Sequence, residues 1–173
     1  MAEAATALER ACATTERYRR AGEDHDLDGV LATLAPDVVL NSPVTLRARF
    51  HGRDAVRDLF CAVFAVLGPI EYHSDVGDDR TRALFYRATV RGQSVEEAVL
   101  VQLDEQARIA ELTLWMRPLP GLVALVAALG PELARRSGRP WMAGAIAALT
   151  TPLTVATRAT DRLAARLLPA HRD

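Results

Sequence analysis

Apolar residues recur at helical spacing along the first part of the chain and predict three helices. From Glu3 to Gly22 they give a helix one modestly apolar face. Asp26 is a typical N-cap for a short second helix, which Pro36 ends. The strongest pattern runs from Asp54 to Leu67, where pairs of apolar residues repeat at helical spacing until Gly68-Pro69 closes the segment.

After this third helix the apolar period changes from near four to two, which is typical of strands. Short turns containing Gly, Asp or Gln separate the segments. The predicted strands are Val38–Leu40, Ile70–Val76, Arg82–Arg91, Ser94–Asp104 and Ile109–Arg117. The sequence therefore predicts an α+β fold, in which three N-terminal helices pack on a curved antiparallel sheet and leave a conical cavity between the layers.

Residues 119–173 form a predicted helical C-terminal extension to a domain of residues 1–118. No charged residue occurs from Pro140 to Thr157, but Pro152 and several threonines interrupt this run, so a packed appendage is favoured over membrane contact. Both faces of the predicted sheet are rather apolar. We therefore expect its second face to be covered by this extension or by another copy of the chain, as in a homodimer.

The composition is that of a globular protein and argues against several classes of function. A quarter of the residues are charged and the net charge is -1, without a long basic run, so nucleic acid is not an expected partner. Cys12 and Cys61 are isolated and the histidines are scattered, so neither a metal nor a cofactor is expected. The N-terminus lacks the basic and apolar blocks of a secretion signal, which makes the cytoplasm the default expectation.

Several short segments carry residue types that are typical, in this order, of one superfamily. They are Arg17-Tyr18, Asp26-Leu27-Asp28-Gly29, Asp37 to Pro43, Gly52 to Val56, Leu59-Phe60, Leu103-Asp104-Glu105 and Arg108-Ile109. Together they resemble the SnoaL-like, or nuclear-transport-factor-2-like, superfamily over residues 5–117. The resemblance implies a cone-shaped fold that serves ketosteroid isomerases, limonene-epoxide-hydrolase-like enzymes, polyketide cyclases and dehydratases, and non-catalytic binding proteins.

The resemblance to ketosteroid isomerases is partial at the residues that carry their chemistry. Tyr18 matches a family tyrosine that holds the dienolate oxygen. The position of the carboxylate base falls on Ser42, that of the protonated acid on Val99, and Phe60 stands where a second tyrosine is expected. Because a serine hydroxyl without a base does not abstract a carbon-bound proton at useful rates, the familiar form of that mechanism is disfavoured.

The resemblance to epoxide hydrolases likewise lacks the necessary acids. Arg87 looks like the arginine of their Asp-Arg-Asp set, but the two acids fall on Thr89 and Leu114. Glu97 is the one carboxylate of the middle strands with the parity of the inward set. If the protein is an enzyme, we expect Glu97 to be its base, with Tyr18 or Arg87 stabilising developing negative charge. A structural ion pair between Arg87 and Glu97 across neighbouring strands is the alternative.

The expected cavity is apolar with a few polar groups that orient a small hydrophobic molecule. Phe85, Arg87 and Thr89 are assigned to the same face as Val99, because all have odd numbers in adjacent strands. The predicted ligand-binding residues are Ser42, Phe60, Phe64, Phe85, Thr89, Val99, Leu114 and Met116. One expected function is an isomerase, cyclase or lyase acting on a polyketide, steroid or terpenoid-like compound. The other is non-catalytic binding of a ligand or a protein, and the sequence does not choose between them.

Overall fold

The computed structural model describes residues 2–136, 138 and 140–167, and these residues form the predicted α+β architecture. The helices are α1 (Ala2–Glu23), α2 (Leu27–Thr33), α3 (Gly52–Phe64), α4 (Leu119–Arg136) and α5 (Pro140–Leu167). The strands are β1 (Leu34–Asn41), β2 (Arg49–His51), β3 (Glu71–Gly77), β4 (Thr81–Val90), β5 (Gln93–Leu103) and β6 (Ile109–Arg117). The predicted fold class is confirmed, including the helical C-terminal extension.

Local sequence explains where α2 and α3 begin. Asp26 caps α2 as predicted, since its carboxylate accepts a hydrogen bond from the Gly29 backbone N–H at 3.0 Å. The third helix starts at Gly52, whose φ of +79° is readily adopted by glycine. Its amphipathic sequence buries Val56, Leu59 and Ala62, and the helix packs against β1. The predicted helix pattern therefore supplies one wall of the interior.

The strands form a single sheet in the order β2-β1-β6-β5-β4-β3. From β3 to β6 they are a sequential antiparallel meander, as predicted. β1 instead lies parallel to β6, with Leu40 opposite Leu112, so the sheet is mixed rather than wholly antiparallel. The sequence prediction lacks β2 because a strand of three residues is too short to show a recognisable alternation.

The register between β4 and β5 decides which of their side chains face the interior. Arg91 and Gly92 form a two-residue turn with φ values of 49° and 73°, and Val90 pairs with Gln93. Even-numbered residues of β4 therefore share a face with odd-numbered residues of β5. The odd-numbered residues of β5 face the interior, as predicted. The odd-numbered residues of β4 face outward, so the prediction that they share the interior face is wrong.

A buried network of polar side chains fixes α1 against the sheet. The Asp75 carboxylate on β3 accepts hydrogen bonds from Arg82 Nε and from the Thr15 hydroxyl of α1, each at 2.7 Å. Nη1 of Arg19, also on α1, lies 3.6 Å from the same carboxylate. The Asp75 and Arg82 side chains are only 10% and 7% exposed, so each charge compensates the other away from water. This network holds the helix that carries Tyr18 over the sheet.

The C-terminal helices pack against each other, and α4 also contacts α3, β4, β5 and β6. Its contacts lie on the interior side of the sheet, where it faces Tyr86 and Glu97 across a cavity. The outer face is not where α4 packs, and Trp115 on that face is 54% exposed. Covering of the outer face by a second copy of the chain stays a prediction. Within the described part of the chain, no helix is both long enough and apolar enough to cross a membrane.

Candidate functional site

A cavity of about 240 Å³ lies between the sheet, α3 and α4, and extends to the loop that joins β1 to β2. A smaller cavity of about 50 Å³ adjoins it on the side of α1, and Leu40, Tyr86 and Glu97 line both. Most of the lining side chains are apolar. Ligand cavities commonly have volumes of roughly 300–1,000 Å³. This cavity is slightly smaller than that range, so it suits a small ligand.

Glu97 is the one acidic residue among the described residues that line these two cavities. The alternation of β5 directs it inward between Val95 and Val99, and it is only 2% exposed. Across the strands it pairs with Tyr86 on one side and Met116 on the other. Its Oε1 atom has no hydrogen-bond partner among the described residues. A buried carboxyl with an unpaired oxygen at a cavity wall is a candidate ligand contact.

Burial raises the pKa of Glu97 to about 8, and a hydrogen bond with Tyr86 offsets only part of this effect. At neutral pH the carboxyl is therefore mostly protonated and able to donate a hydrogen bond. Slightly above neutral pH a large fraction is ionised, and this carboxylate is a stronger base than an ordinary solvent-exposed one. A pKa near the working pH suits a group that both accepts and returns a proton.

Tyrosines from three different elements surround this carboxyl: Tyr18 from α1, Tyr72 from β3 and Tyr86 from β4. The ring centroids of Tyr18 and Tyr72 are 6.4 Å apart, and those of Tyr72 and Tyr86 are 5.1 Å apart. Burial is the main cause that raises the pKa of all three hydroxyls, and the nearby Glu97 raises each further. The tyrosines therefore stay neutral and can donate hydrogen bonds to an oxygen that gains negative charge.

Most of the predicted ligand-binding residues do line the two cavities. The smaller cavity contains Phe60, Phe64 and Val99, while Met116 lines the larger one and Leu114 lines both. The ring of Phe60 meets Tyr18 edge-on, with the centroids 6.4 Å apart. Ser42 lines the larger cavity beside the β1–β2 loop, where its hydroxyl accepts a hydrogen bond from the Val44 backbone N–H at 3.1 Å. That hydroxyl has a turn-forming role, and a ligand contact by Ser42 stays a prediction.

Arg87, Phe85 and Thr89 are placed differently from the prediction. All three lie on the outer face of β4, because the even-numbered residues of that strand face the interior. Arg87 pairs in register with Glu96 rather than with Glu97, and its Nε lies 3.4 Å from the Glu96 carboxylate. The expected Arg87–Glu97 ion pair is therefore wrong, and so is the expectation that Arg87 stabilises charge inside the cavity.

Two of the three tyrosines around Glu97, Tyr72 and Tyr86, are missing from the site residues predicted from the sequence. The sequence did contain a signal for Tyr86. A two-residue hairpin turn pairs residues whose numbers add to an odd sum, so any such turn at Arg91-Gly92 puts an even-numbered residue of β4 beside Glu97. No comparable signal exists for Tyr72, because β3 and β4 are paired through an irregularity between Tyr72 and Ser74.

A family model described as SnoaL-like domain matches residues 15–112, which is more than half of the chain. The chain belongs to the SnoaL-like domain family. The matched residues include Tyr18, Tyr72, Tyr86 and Glu97, whereas α4 and α5 lie outside them. No curated protein matches this SnoaL-like chain.

Several solved structures share the fold of this SnoaL-like protein. A steroid delta-isomerase from Pseudomonas aeruginosa is 27% identical, with a TM-score of 0.64 over 75% of this chain and 92% of that one. A nuclear-transport-factor-2-like protein of unknown function from Mesorhizobium loti is 19% identical, with a TM-score of 0.58 over 64% and 93% of the two chains. SalBIII, an epoxide hydrolase/cyclase-like enzyme of pyran ring formation in salinomycin, is 16% identical, with a TM-score of 0.55 over 63% and 92%.

Proposed function

We propose that this SnoaL-like protein binds a small apolar ketone in its cavity and that Glu97 moves a proton between two carbons of that ligand, as an isomerase. The observation that carries the proposal is the Glu97 carboxyl itself, buried in an apolar cavity with its Oε1 unpaired. Burying such a group without a partner is costly unless a ligand uses it. The likeness to a steroid delta-isomerase at 27% identity supports the same class of reaction.

The chemistry needs one base and one hydrogen-bond donor, and the cavity supplies both. In a β,γ-unsaturated ketone, the Glu97 carboxylate would remove a proton from the carbon between the carbonyl and the double bond. The electron pair then moves to the carbonyl oxygen, where the Tyr18 hydroxyl is the proposed donor. Glu97 returns the proton to the far end of the former double bond, which leaves a conjugated ketone and regenerates the carboxylate. No additional reactant is required.

This arrangement replaces the family's usual base position, which falls on Ser42, with a carboxyl from β5. The cross-strand position of Tyr86 beside Glu97 supports the change, because that hydroxyl hydrogen-bonds the carboxyl and orients it. Arg87 has no part in the proposal, since it lies on the outer face. Cyclase and lyase reactions can begin with the same removal of a proton by Glu97, and they are alternatives within the same site.

The test is turnover of two β,γ-unsaturated ketones of different size, cyclohex-3-en-1-one and androst-5-ene-3,17-dione, followed by the ultraviolet absorbance of the conjugated product. We expect kcat to rise with pH through about 8 as Glu97 ionises, in the absence of a second titrating group. Glu97→Gln should abolish turnover, and Tyr18→Phe should lower kcat by roughly a hundredfold to a thousandfold.

Glu96→Gln is the matched control, because Glu96 is the neighbouring carboxylate on the same strand but faces outward and pairs with Arg117 and Arg87. It should leave kcat unchanged. Wild-type protein that turns over neither ketone, or Glu97→Gln protein that retains the wild-type rate, would overturn the isomerase proposal. In that case, mass spectrometry of small molecules retained by the purified protein tests the second candidate, non-catalytic ligand binding. The largely apolar cavity between the sheet, α3 and α4 favours that function over protein docking.

A further inference from the structure

We propose that α4, which lies outside the family-matched region, is the end wall of the cavity and sets the length of ligand that fits, with Leu129 and Leu133 as the selecting residues. This inference deepens the proposed function and depends on the same cavity. It assigns a binding role to residues for which the family resemblance implies none.

The first support is the set of α4 side chains at the cavity. Leu125, Leu129 and Leu133 recur every fourth residue along α4 and all line the larger cavity. This spacing puts them in a row on one face of the helix. Leu125 is buried at 5% exposure, whereas Leu129 and Leu133 are only half-buried. The two outer leucines therefore keep accessible apolar surface that a ligand tail can cover.

The second support is the distribution of polar groups around the cavity. Ser42 and Thr45 line the cavity from the β1–β2 loop, where their hydroxyls already accept hydrogen bonds from backbone N–H groups. Glu97 and Tyr86 line it from the sheet, and α4 contributes only apolar side chains and a glycine to its lining. A ligand whose oxygen reaches Glu97 must place its remaining atoms against apolar groups, and α4 supplies a large share of these. The ligand class that fits is an amphiphile with one oxygen-bearing head and one uncharged hydrocarbon tail.

The third support is the close packing that fixes α4 in place. A Cβ atom on Gly121 would lie 2.4 Å from Val95 Cγ1, so the start of α4 packs against β5 closely enough to require glycine. A Cβ atom on Gly130 would lie 2.8 Å from Ile146 Cγ2, so α4 and α5 are in similarly close contact beside Leu129. The helix is therefore held at Gly121 by the sheet and at Gly130 by α5.

The test is calorimetric titration of the wild-type protein with straight-chain methyl ketones from pentanone to undecanone. Each added methylene that finds apolar surface should tighten binding about fourfold. The gain should stop at one tail length, where the tail meets α4. Leu129→Ala and Leu133→Ala should each move this limit to a longer ketone, and Leu129→Phe should move it to a shorter one. The matched control is Leu149→Ala on α5, whose side chain is 76% exposed and does not line the cavity.

Glu97→Gln separates this inference from the proposed function. It should change the affinity for all the ketones by a similar factor and leave the length limit where it is, since Glu97 contacts only the head. A length limit that stays the same in both leucine-to-alanine variants, or a wild-type protein that binds none of the ketones, would overturn the role of α4. A limit that moves as expected in a protein without isomerase activity would support the end wall and refute only the catalytic proposal.

Discussion

Replacement of Glu97 by glutamine should change how the stability of the protein depends on pH. Burial holds the pKa of Glu97 at about 8 in the folded protein, whereas its ordinary value is 4.5. Between these values the unfolded chain loses the Glu97 proton and the folded chain keeps it. The unfolded state therefore binds fewer protons, and the free energy of unfolding falls as the pH rises. Glutamine has nearly the same shape but does not titrate.

The size of the effect follows from the two pKa values. Each pH unit between them changes the free energy of unfolding by about 1.4 kcal/mol. Between pH 4.5 and about 8, the free energy of unfolding of the wild-type protein should therefore fall by about 5 kcal/mol relative to that of Glu97→Gln. Below this range Glu97 is protonated in both the folded and the unfolded state, and above it Glu97 is ionised in both. Outside the range the difference in unfolding free energy between the two proteins is therefore constant. A fixed offset between the two proteins does not matter, because the slope is the measured quantity.

The assay is urea unfolding of both proteins at several values between about pH 5 and pH 9, with the m-value checked for constancy. Glu96→Gln is the control, because Arg117 and Arg87 lower the pKa of Glu96 in the folded protein. The stabilisation by Glu96 is present above its unfolded pKa and is lost only in acid, so this variant should run parallel to wild type over the same range. Parallel curves for wild type and Glu97→Gln would refute the argument, since they would show that Glu97 ionises alike in the folded and unfolded states.

Two further predictions concern the polar network and the outer face. Asp75→Asn should lower the free energy of unfolding by about 3–5 kcal/mol, because it leaves the buried Arg82 without a compensating charge. Asp28→Asn, whose side chain is 87% exposed, should cost at most about 1 kcal/mol in the same urea titration, and equal losses would contradict this explanation. If a second copy covers the outer face, sedimentation should show a wild-type dimer that Trp115→Arg converts to monomer, while Trp141→Arg, on α5, leaves the dimer intact. A wild-type monomer at micromolar concentration would rule out that arrangement.

Several parts of the site were predictable because their signals are local. The cap at Asp26 needs only a side chain and a backbone N–H three residues away. The helix that buries Val56 and Leu59 is marked by its own periodicity. Glu97 stands in an alternating strand among Val95, Val99 and Val101, and that pattern alone indicates its inward direction. Its inward direction and burial are both observed, and its catalytic role stays a prediction.

The position of Arg87 shows where local signals end. Both parity sets of β4 contain large apolar residues, Phe85 in one and Leu84 with Tyr86 in the other, so its alternation does not identify the inner face. The pairing with β5 decides the face, and through it which neighbour Glu97 has. That neighbour is Tyr86, which hydrogen-bonds the carboxyl, and not Arg87, which would have held it ionised.

The sequence by itself determined the α+β class, the family, the amphipathic third helix and the inward direction of Glu97. Each of these depends on residues that are close together in the chain or on their order along it. Only the tertiary structure decided that three tyrosines surround Glu97 and that α4 lines the larger cavity. These arrangements depend on strand register and helix docking, which are set by contacts between distant residues. The same long-range burial raises the pKa of Glu97, because it removes the carboxyl from water.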